Sequence, residues 1–214
     1  MNSRRLVLAL LAVPIVAAAV VAVGVAARDG GARGPGSAAV ERGSAEAEAV
    51  VVPAESSVHA TSLAELIDAS DTVVIGHVLS TQRGRLVAGE RGSGFVTRLV
   101  RLQVDEVLAG EEPGEELIVE EPGWLTDGSP IAVNGVPGSV EGDLGIWFLI
   151  RGTDPDAPYF AVVNDQGRYL VDPHDETRFR DVPVSDPLID QLERTEPIIL
   201  RHQVQEAAGV LRPG

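Results

Sequence analysis

The sequence predicts a mainly β fold, a small barrel of five to six strands with a short helix before it and a helical segment after it. Short β-branched or aromatic runs, separated by turns rich in Gly, Pro, Asn and Asp, recur between Thr72 and Val171. From residue 184 onwards the apolar residues change to helical spacing. A long apolar run near the N-terminus predicts a single transmembrane helix ahead of the domain.

The apolar run at residues 6–27 holds no charged side chain and follows Arg4 and Arg5. A helix of this length spans ~33 Å, against ~30 Å for the hydrocarbon core of a bilayer. The slight excess of basic residues ahead of the run favours a cytoplasmic N-terminus and a C-terminal domain outside the cell membrane. The alternative is a signal peptide cleaved after the small residues at 25–27, which would release a secreted domain.

The sequence divides into four regions by composition. Residues 29–37 are Gly-rich and residues 41–48 are rich in Ala, Glu and Ser, which predicts a disordered linker. Val50–Val52 within it is either a short strand or an exposed apolar spot. The predicted regions are a signal anchor at 1–27, the linker at 28–57, the β-barrel domain at 58–183 and a C-terminal helical segment and tail at 184–214.

Capping residues and alternation predict the individual elements. Ser62 and Glu65 form a capping box for a short helix, and Asp186 precedes Pro187 as the N-cap of a C-terminal helix. The glycines between Thr81 and Gly94 predict a loop, and so does the Gly- and Pro-rich stretch from Pro122 to Gly142. The predicted strands cover residues 72–79, 96–106, 115–121, 144–150, 159–163 and 168–171.

The composition excludes some functions and leaves others open. The chain carries 32 acidic and 17 basic residues, a net charge of −15, so it repels phosphate backbones and we expect no nucleic-acid partner. It has no cysteine, so the exported domain cannot rely on disulfides. The fold must therefore be stabilised by its own core.

The sequence shows no catalytic motif, and we expect neither catalytic residues nor a cofactor. Ser93 lies between two glycines but lacks the Gly-x-Ser-x-Gly pattern, and the four histidines lack zinc-ligand spacing. The densest group of metal-ligand side chains is Asp172, His174, Asp175 and Glu176, which could hold a hard cation but is more typical of a solvated turn. Trp124 follows Pro122-Gly123 at the start of a loop, where it either plugs the end of the barrel or forms a binding patch.

Four segments, Ser62–Leu66, Ala69–Val78, Val104–Gly110 and Gly142–Leu149, resemble uncharacterised exported proteins of bacteria with GC-rich genomes. The same order of elements distantly resembles the oligonucleotide/oligosaccharide-binding-like (OB-like) barrel of netrin-type modules and tissue inhibitors of metalloproteinases. That inhibitor family acts through an N-terminal cysteine, which this chain lacks. The resemblance therefore implies an OB-like fold and no functional residue.

These observations together predict a membrane-tethered, extracytoplasmic binding or interaction module without catalytic activity. Its partners would be the membrane, through residues 6–27, and an envelope protein or another extracellular ligand. The alternative is a secreted soluble binder, and a metal-dependent or hydrolytic enzyme is the less favoured third reading.

Overall fold

A computed structural model describes residues 49–53, 59–89, 94–153, 159–181 and 186–209. In this part of the chain the fold is mainly β and ends in a helical segment, as the sequence predicts. The strands are β1 (Val50–Val52), β2 (Thr72–Ala88), β3 (Gly94–Gly110), β4 (Glu116–Leu125), β5 (Ile131–Val133), β6 (Val136–Pro137), β7 (Leu144–Arg151), β8 (Phe160–Val162), β9 (Arg168–Asp172) and β10 (Asp175–Phe179). The helices are α1 (Leu63–Asp68), α2 (Pro187–Glu193) and α3 (Pro197–Ala207). The apolar run at 6–27 lies outside the described residues, and none of the helices described is long and apolar enough to span a membrane.

The main sheet has seven strands, where the sequence predicts five to six, in the order β10-β9-β7-β2-β3-β4-β8. The strand at one end of this order, β8, also pairs with β7 in the middle of the sheet. The sheet is therefore curled. The contact between β8 and β4 consists of a single paired position, Val119 opposite Phe160.

The hairpin of β2 and β3 is longer than the sequence predicts. Each strand has 17 residues, and the predicted loop at 81–94 is wrong for residues 81–88, because β2 continues to Ala88 and pairs with β3 from Gly94. Residues 90–93 of that loop lie outside the described residues. The backbone N–H of Arg85 donates to the Thr97 hydroxyl at 3.0 Å, so side chains of β3 also hold this part of β2. Pairing across the hairpin outweighs the weak strand propensity of the glycines.

The predicted loop at 122–142 is also partly wrong. β4 continues through Pro122 to Leu125, and Pro122 lies beside a register shift in the β3–β4 pairing, where proline is tolerated. The segment then forms β5 and β6, which make a second sheet with β1 in the order β1-β5-β6. Val50–Val52, inside the predicted linker, is thus the short strand of the two alternatives, pairing with β5 in parallel.

Both faces of the central strands are buried. Along β7, Phe148 packs with the helices in one core cluster, whereas Trp147 packs inside the curl of the sheet in a second. Val73 and Val74 of β2 divide in the same way. This double burial explains why the central strands are nearly continuous apolar runs instead of alternating ones.

The helices cover the outer face of the sheet. Leu66 of α1, Leu192 of α2 and Leu200 of α3 are fully buried in the first cluster. The predicted N-cap of α2 is confirmed, since the Asp186 carboxylate accepts from two backbone N–H groups of the first turn. Gln166 fixes this arrangement because its side chain bonds the backbone of Ala60 at both N–H and C=O and also donates to Asp186.

Candidate functional site

A pocket of about 490 Å³ lies beside the single pairing of β4 with β8. Its walls come from these two strands, from the ends of β2 and β3, and from the β5–β6 hairpin. The volume falls within the range of small-molecule sites in proteins. Apolar side chains provide much of the lining, among them Val87, Phe95, Pro122, Ile131, Val133, Val136, Phe160, Ala161 and Val162.

One side of the pocket is built on a buried cluster of charged side chains, which we call the Arg–Glu–Arg cluster: Arg98, Glu121 and Arg168. Arg98 and Glu121 are opposite each other in β3 and β4, and Arg168 is the first residue of β9. All three are less than a tenth exposed. The Nη1 atoms of Arg98 and Arg168 donate to the Glu121 carboxylate at 3.4 and 3.0 Å.

The segment that follows β6 completes the cluster. The Ser139 backbone N–H and hydroxyl donate to Glu121 at 2.7 and 3.0 Å. The Ser139 carbonyl accepts from Arg98 Nη1 at 2.8 Å, and the Pro137 carbonyl accepts from Arg168 Nη2. The Glu121 carboxylate therefore accepts four hydrogen bonds, which satisfies a buried charge that would otherwise be costly.

The cluster holds two guanidinium groups and one carboxylate, so it carries an excess of one positive charge. Two indole rings face these cations: Arg98 Cζ lies 4.7 Å from the centroid of Trp124, and Arg168 Cζ lies 5.7 Å from that of Trp147. Such contacts stabilise a cation that is removed from water. The Arg98 Nε atom is buried and has no hydrogen-bond partner among the described residues.

The remaining charged side chains of the pocket wall are also engaged. Arg85 donates from Nε and Nη2 to the two carboxylate oxygens of Glu120, at 2.9 and 2.8 Å. Asp165 accepts from the side-chain amide of Asn134. Among the described residues, the wall and the Arg–Glu–Arg cluster together hold three cationic and three anionic side chains, so this set is balanced in charge.

The sequence predicts that Trp124 begins a loop, but Trp124 lies within β4, which continues past it to Leu125. It is half-buried and lies near two guanidinium groups, with Arg83 Cζ at 5.0 Å and Arg98 Cζ at 4.7 Å from its ring centroid. Arg83 and Arg98 are cross-strand partners in β2 and β3. Two like charges opposite each other are unfavourable, and the electron-rich face of the indole offsets part of this cost. Trp124 is not among the residues that line the pocket.

Asp172, His174, Asp175 and Glu176 lie at the turn between β9 and β10. The His174 backbone N–H bonds Asp172 at 2.8 Å and lowers the pKa of that carboxyl, and Arg178 lies 3.0 Å away. The Thr177 hydroxyl lowers the pKa of Asp175 in the same way. The described ranges contain no group of three or more His, Cys, Asp or Glu side chains arranged to hold a metal ion, and Ser93 lies outside them.

No sequence motif marks the Arg–Glu–Arg cluster, although the strand pattern holds a signal for part of it. Arg98 shares the strand face of Val100 and Leu102, and Glu121 shares the face of Leu117 and Val119. A charged residue on the apolar face of a strand must be paired when that face is buried. The pattern could therefore have singled out Arg98 and Glu121 as partners.

Comparison of the chain with protein-family models, with curated proteins and with solved structures finds no match.

Proposed function

We propose that this chain is a binding module held at the outer face of a membrane by residues 6–27, and that its ligand occupies the pocket beside β4 and β8. The length of the apolar run supports the anchor, and the acidic composition of the rest of the chain suits a solvent-exposed domain outside the membrane. If the run is instead cleaved after residues 25–27, the same domain acts as a secreted binder.

The finer description of the fold belongs to this proposal. The strands β7, β2, β3, β4 and β8 pair in that order, and β8 pairs again with β7. Five strands in such a circuit are what a small OB-like barrel requires, and proteins with that fold bind ligands on the barrel surface and between its loops. The resemblance to netrin-type modules favours the same architecture.

The observation that carries the proposal is the pocket itself, a concave and largely apolar site of about 490 Å³ with a few fixed polar groups. The hydrogen bonding of Glu121, the central carboxylate of the Arg–Glu–Arg cluster, favours binding over catalysis. Glu121 accepts four hydrogen bonds from Arg98, Ser139 and Arg168, which leaves no lone pair to accept a substrate proton. These four hydrogen bonds give the Glu121 carboxylate a structural role.

Two measurements on the full chain test the proposal. Intact-mass analysis of the membrane-extracted protein should give the uncleaved chain, and a chain that begins near Arg28 would contradict the anchor. For the pocket, N-phenyl-1-naphthylamine is an uncharged aromatic probe that should bind to the chain in lipid nanodiscs, with empty nanodiscs as the background. The Ala161→Phe variant fills the pocket wall and should abolish the signal above that background.

The matched control places the same substitution outside the pocket. Ala64→Phe lies on the exposed face of α1 and should leave probe binding unchanged. Equal binding to Ala161→Phe and to the unaltered chain would show that the probe binds elsewhere, which would contradict the pocket as the ligand site.

A further inference from the structure

We propose that the pocket selects an uncharged, largely apolar small molecule. This inference rests on the proposed function, because it names the class of ligand that the pocket would take. It follows from the shape and the charge state of the wall, and nothing in the sequence motifs points to it.

The apolar part of the wall supplies the affinity. Valine, isoleucine and phenylalanine side chains from five strands meet in the pocket, and Phe160, one of these lining residues, is only 6% exposed. Displacing water from such a surface favours an apolar ligand in proportion to the apolar area that it buries. The volume suits a molecule of ordinary cofactor or drug size.

The polar part of the wall argues against an anion. An anionic ligand would need the Arg168 guanidinium, but Nη1 donates to Glu121 and Ser139 and Nη2 donates to the Pro137 carbonyl. Arg85 donates to both oxygens of Glu120. An anion at Arg168 would have to break its buried bonds to Glu121 and Ser139 and leave that carboxylate short of a partner, which is costly.

A cation is disfavoured for the same reason. The carboxylates that line the pocket already have donors. Glu120 accepts from Arg85 and Asp165 accepts from Asn134. Glu121 accepts from Arg98, Ser139 and Arg168. Taken together with Arg98 behind the wall, the charged side chains of the described wall residues sum to zero, so neither sign is attracted, and a charged ligand would lose its hydration without a new partner. An uncharged molecule avoids this penalty.

Two probes of matched shape test the inference on the full chain in nanodiscs. N-Phenyl-1-naphthylamine is uncharged, and 1-anilinonaphthalene-8-sulfonate has the same ring system with a sulfonate added. For each probe, binding to the pocket is the part of the fluorescence signal that the Ala161→Phe variant loses and the Ala64→Phe variant keeps. Probe bound to the lipid gives the same signal in both variants and therefore does not count. We expect the sulfonated probe to bind with an affinity lower by roughly tenfold or more, since its charge has no partner in the pocket.

The outcomes separate the inference from the proposal beneath it. Weaker binding of the sulfonated probe, with both signals dependent on residue 161, supports both. Equal or tighter binding of the sulfonated probe, still lost in Ala161→Phe, overturns the charge selectivity and leaves the pocket as the ligand site. If neither probe binds, the proposed function and the inference are both overturned.

Discussion

Arg98 and Glu121 face each other in direct register across β3 and β4, and each of the two side chains is 9% exposed. The pair lies on strand faces that otherwise carry aliphatic residues of the core. Ser139 and Arg168 join it from the segments after β6 and at the start of β9. These buried bonds connect four separate segments of the chain behind the pocket, and they provide the sharpest tests of the structure.

Replacing Glu121 with Gln should destabilise the domain strongly. The amide keeps the shape of the side chain but leaves two buried guanidinium groups without a counter-charge, and removing one partner of a buried ion pair costs about 3–5 kcal/mol. Urea unfolding followed by tryptophan fluorescence measures the change. The control is Glu116→Gln, which breaks the exposed pair with Arg101, also between β3 and β4, and should move the midpoint much less. Similar shifts for both variants would contradict the role of the buried cluster.

Gly138 is predicted to be intolerant of any side chain because of Arg98. A Cβ atom at this position would overlap the Arg98 guanidinium, which its bonds to Glu121 and Ser139 hold in place. Gly138→Ala should therefore lower the free energy of unfolding by about 1–3 kcal/mol. In an Arg98→Met background the overlap is relieved and the cost should fall. Equal costs in the two backgrounds would show that the two residues are not coupled.

Two glycines with positive φ separate backbone strain from steric overlap. Gly110 has φ +80°, and a Cβ there would overlap the Asp71 carbonyl, whereas Gly128 has φ +94° and open space around it. Gly128→Ala should cost about 1–2 kcal/mol, the penalty of a left-handed conformation for an L-residue. Gly110→Ala should cost clearly more, because it also separates the ends of β2 and β3. Thermal or urea unfolding measures the stability of both variants. Equal losses of stability would contradict the predicted overlap at Gly110.

Tyr169 gives the stability of the domain a dependence on alkaline pH. Its ring packs between Phe148 and Phe179, with centroids 6.0 and 5.7 Å away, and its hydroxyl is buried without a partner among the described residues. Burial raises the pKa of Tyr169 far above its ordinary value of about 10. The neutral side chain therefore contributes its full stability below pH ~10, and the contribution falls as the pH rises and the unfolded chain loses its proton.

Tyr169→Phe tests this dependence. At neutral pH the variant should be as stable as the unaltered chain or more so, because the unsatisfied hydroxyl is gone. Above pH ~10 the free energy of unfolding of the unaltered chain should fall with pH more steeply than that of the variant, by about 1.4 kcal/mol for each pH unit. Urea unfolding at a series of pH values gives both slopes. Parallel slopes would contradict a buried, neutral Tyr169.

Local patterns predicted the elements whose residues carry their own signal. The apolar run at 144–150 is a central strand, and Asp186 followed by Pro187 begins a helix, because burial on both faces and helix capping each require particular residue types. The loops predicted at 81–94 and 122–142 were partly wrong for the opposite reason. Glycine and proline there are accommodated by pairing with a distant strand, and no local pattern reports such pairing.

The candidate site could be predicted only in part. The positions of Arg98 and Glu121 on apolar strand faces indicate buried charges, but the third member, Arg168, lies 47 residues from Glu121. Its approach depends on β9 pairing with β7, and on the segment after β6 turning back over β4. The pocket has no sequence signature because its wall comes from segments that meet only through the curl of the sheet.

The sequence by itself determined the mainly β class, the helical C-terminal segment, the acidic and cysteine-free composition and the apolar run at 6–27. Each of these depends on residue type and on spacing within a few turns or strands. The tertiary structure alone decided the seven-stranded order, the long β2–β3 hairpin, the paired charges and the pocket beside Phe160. These depend on which distant segments come into contact, and burial makes such contacts strong enough to override local preference.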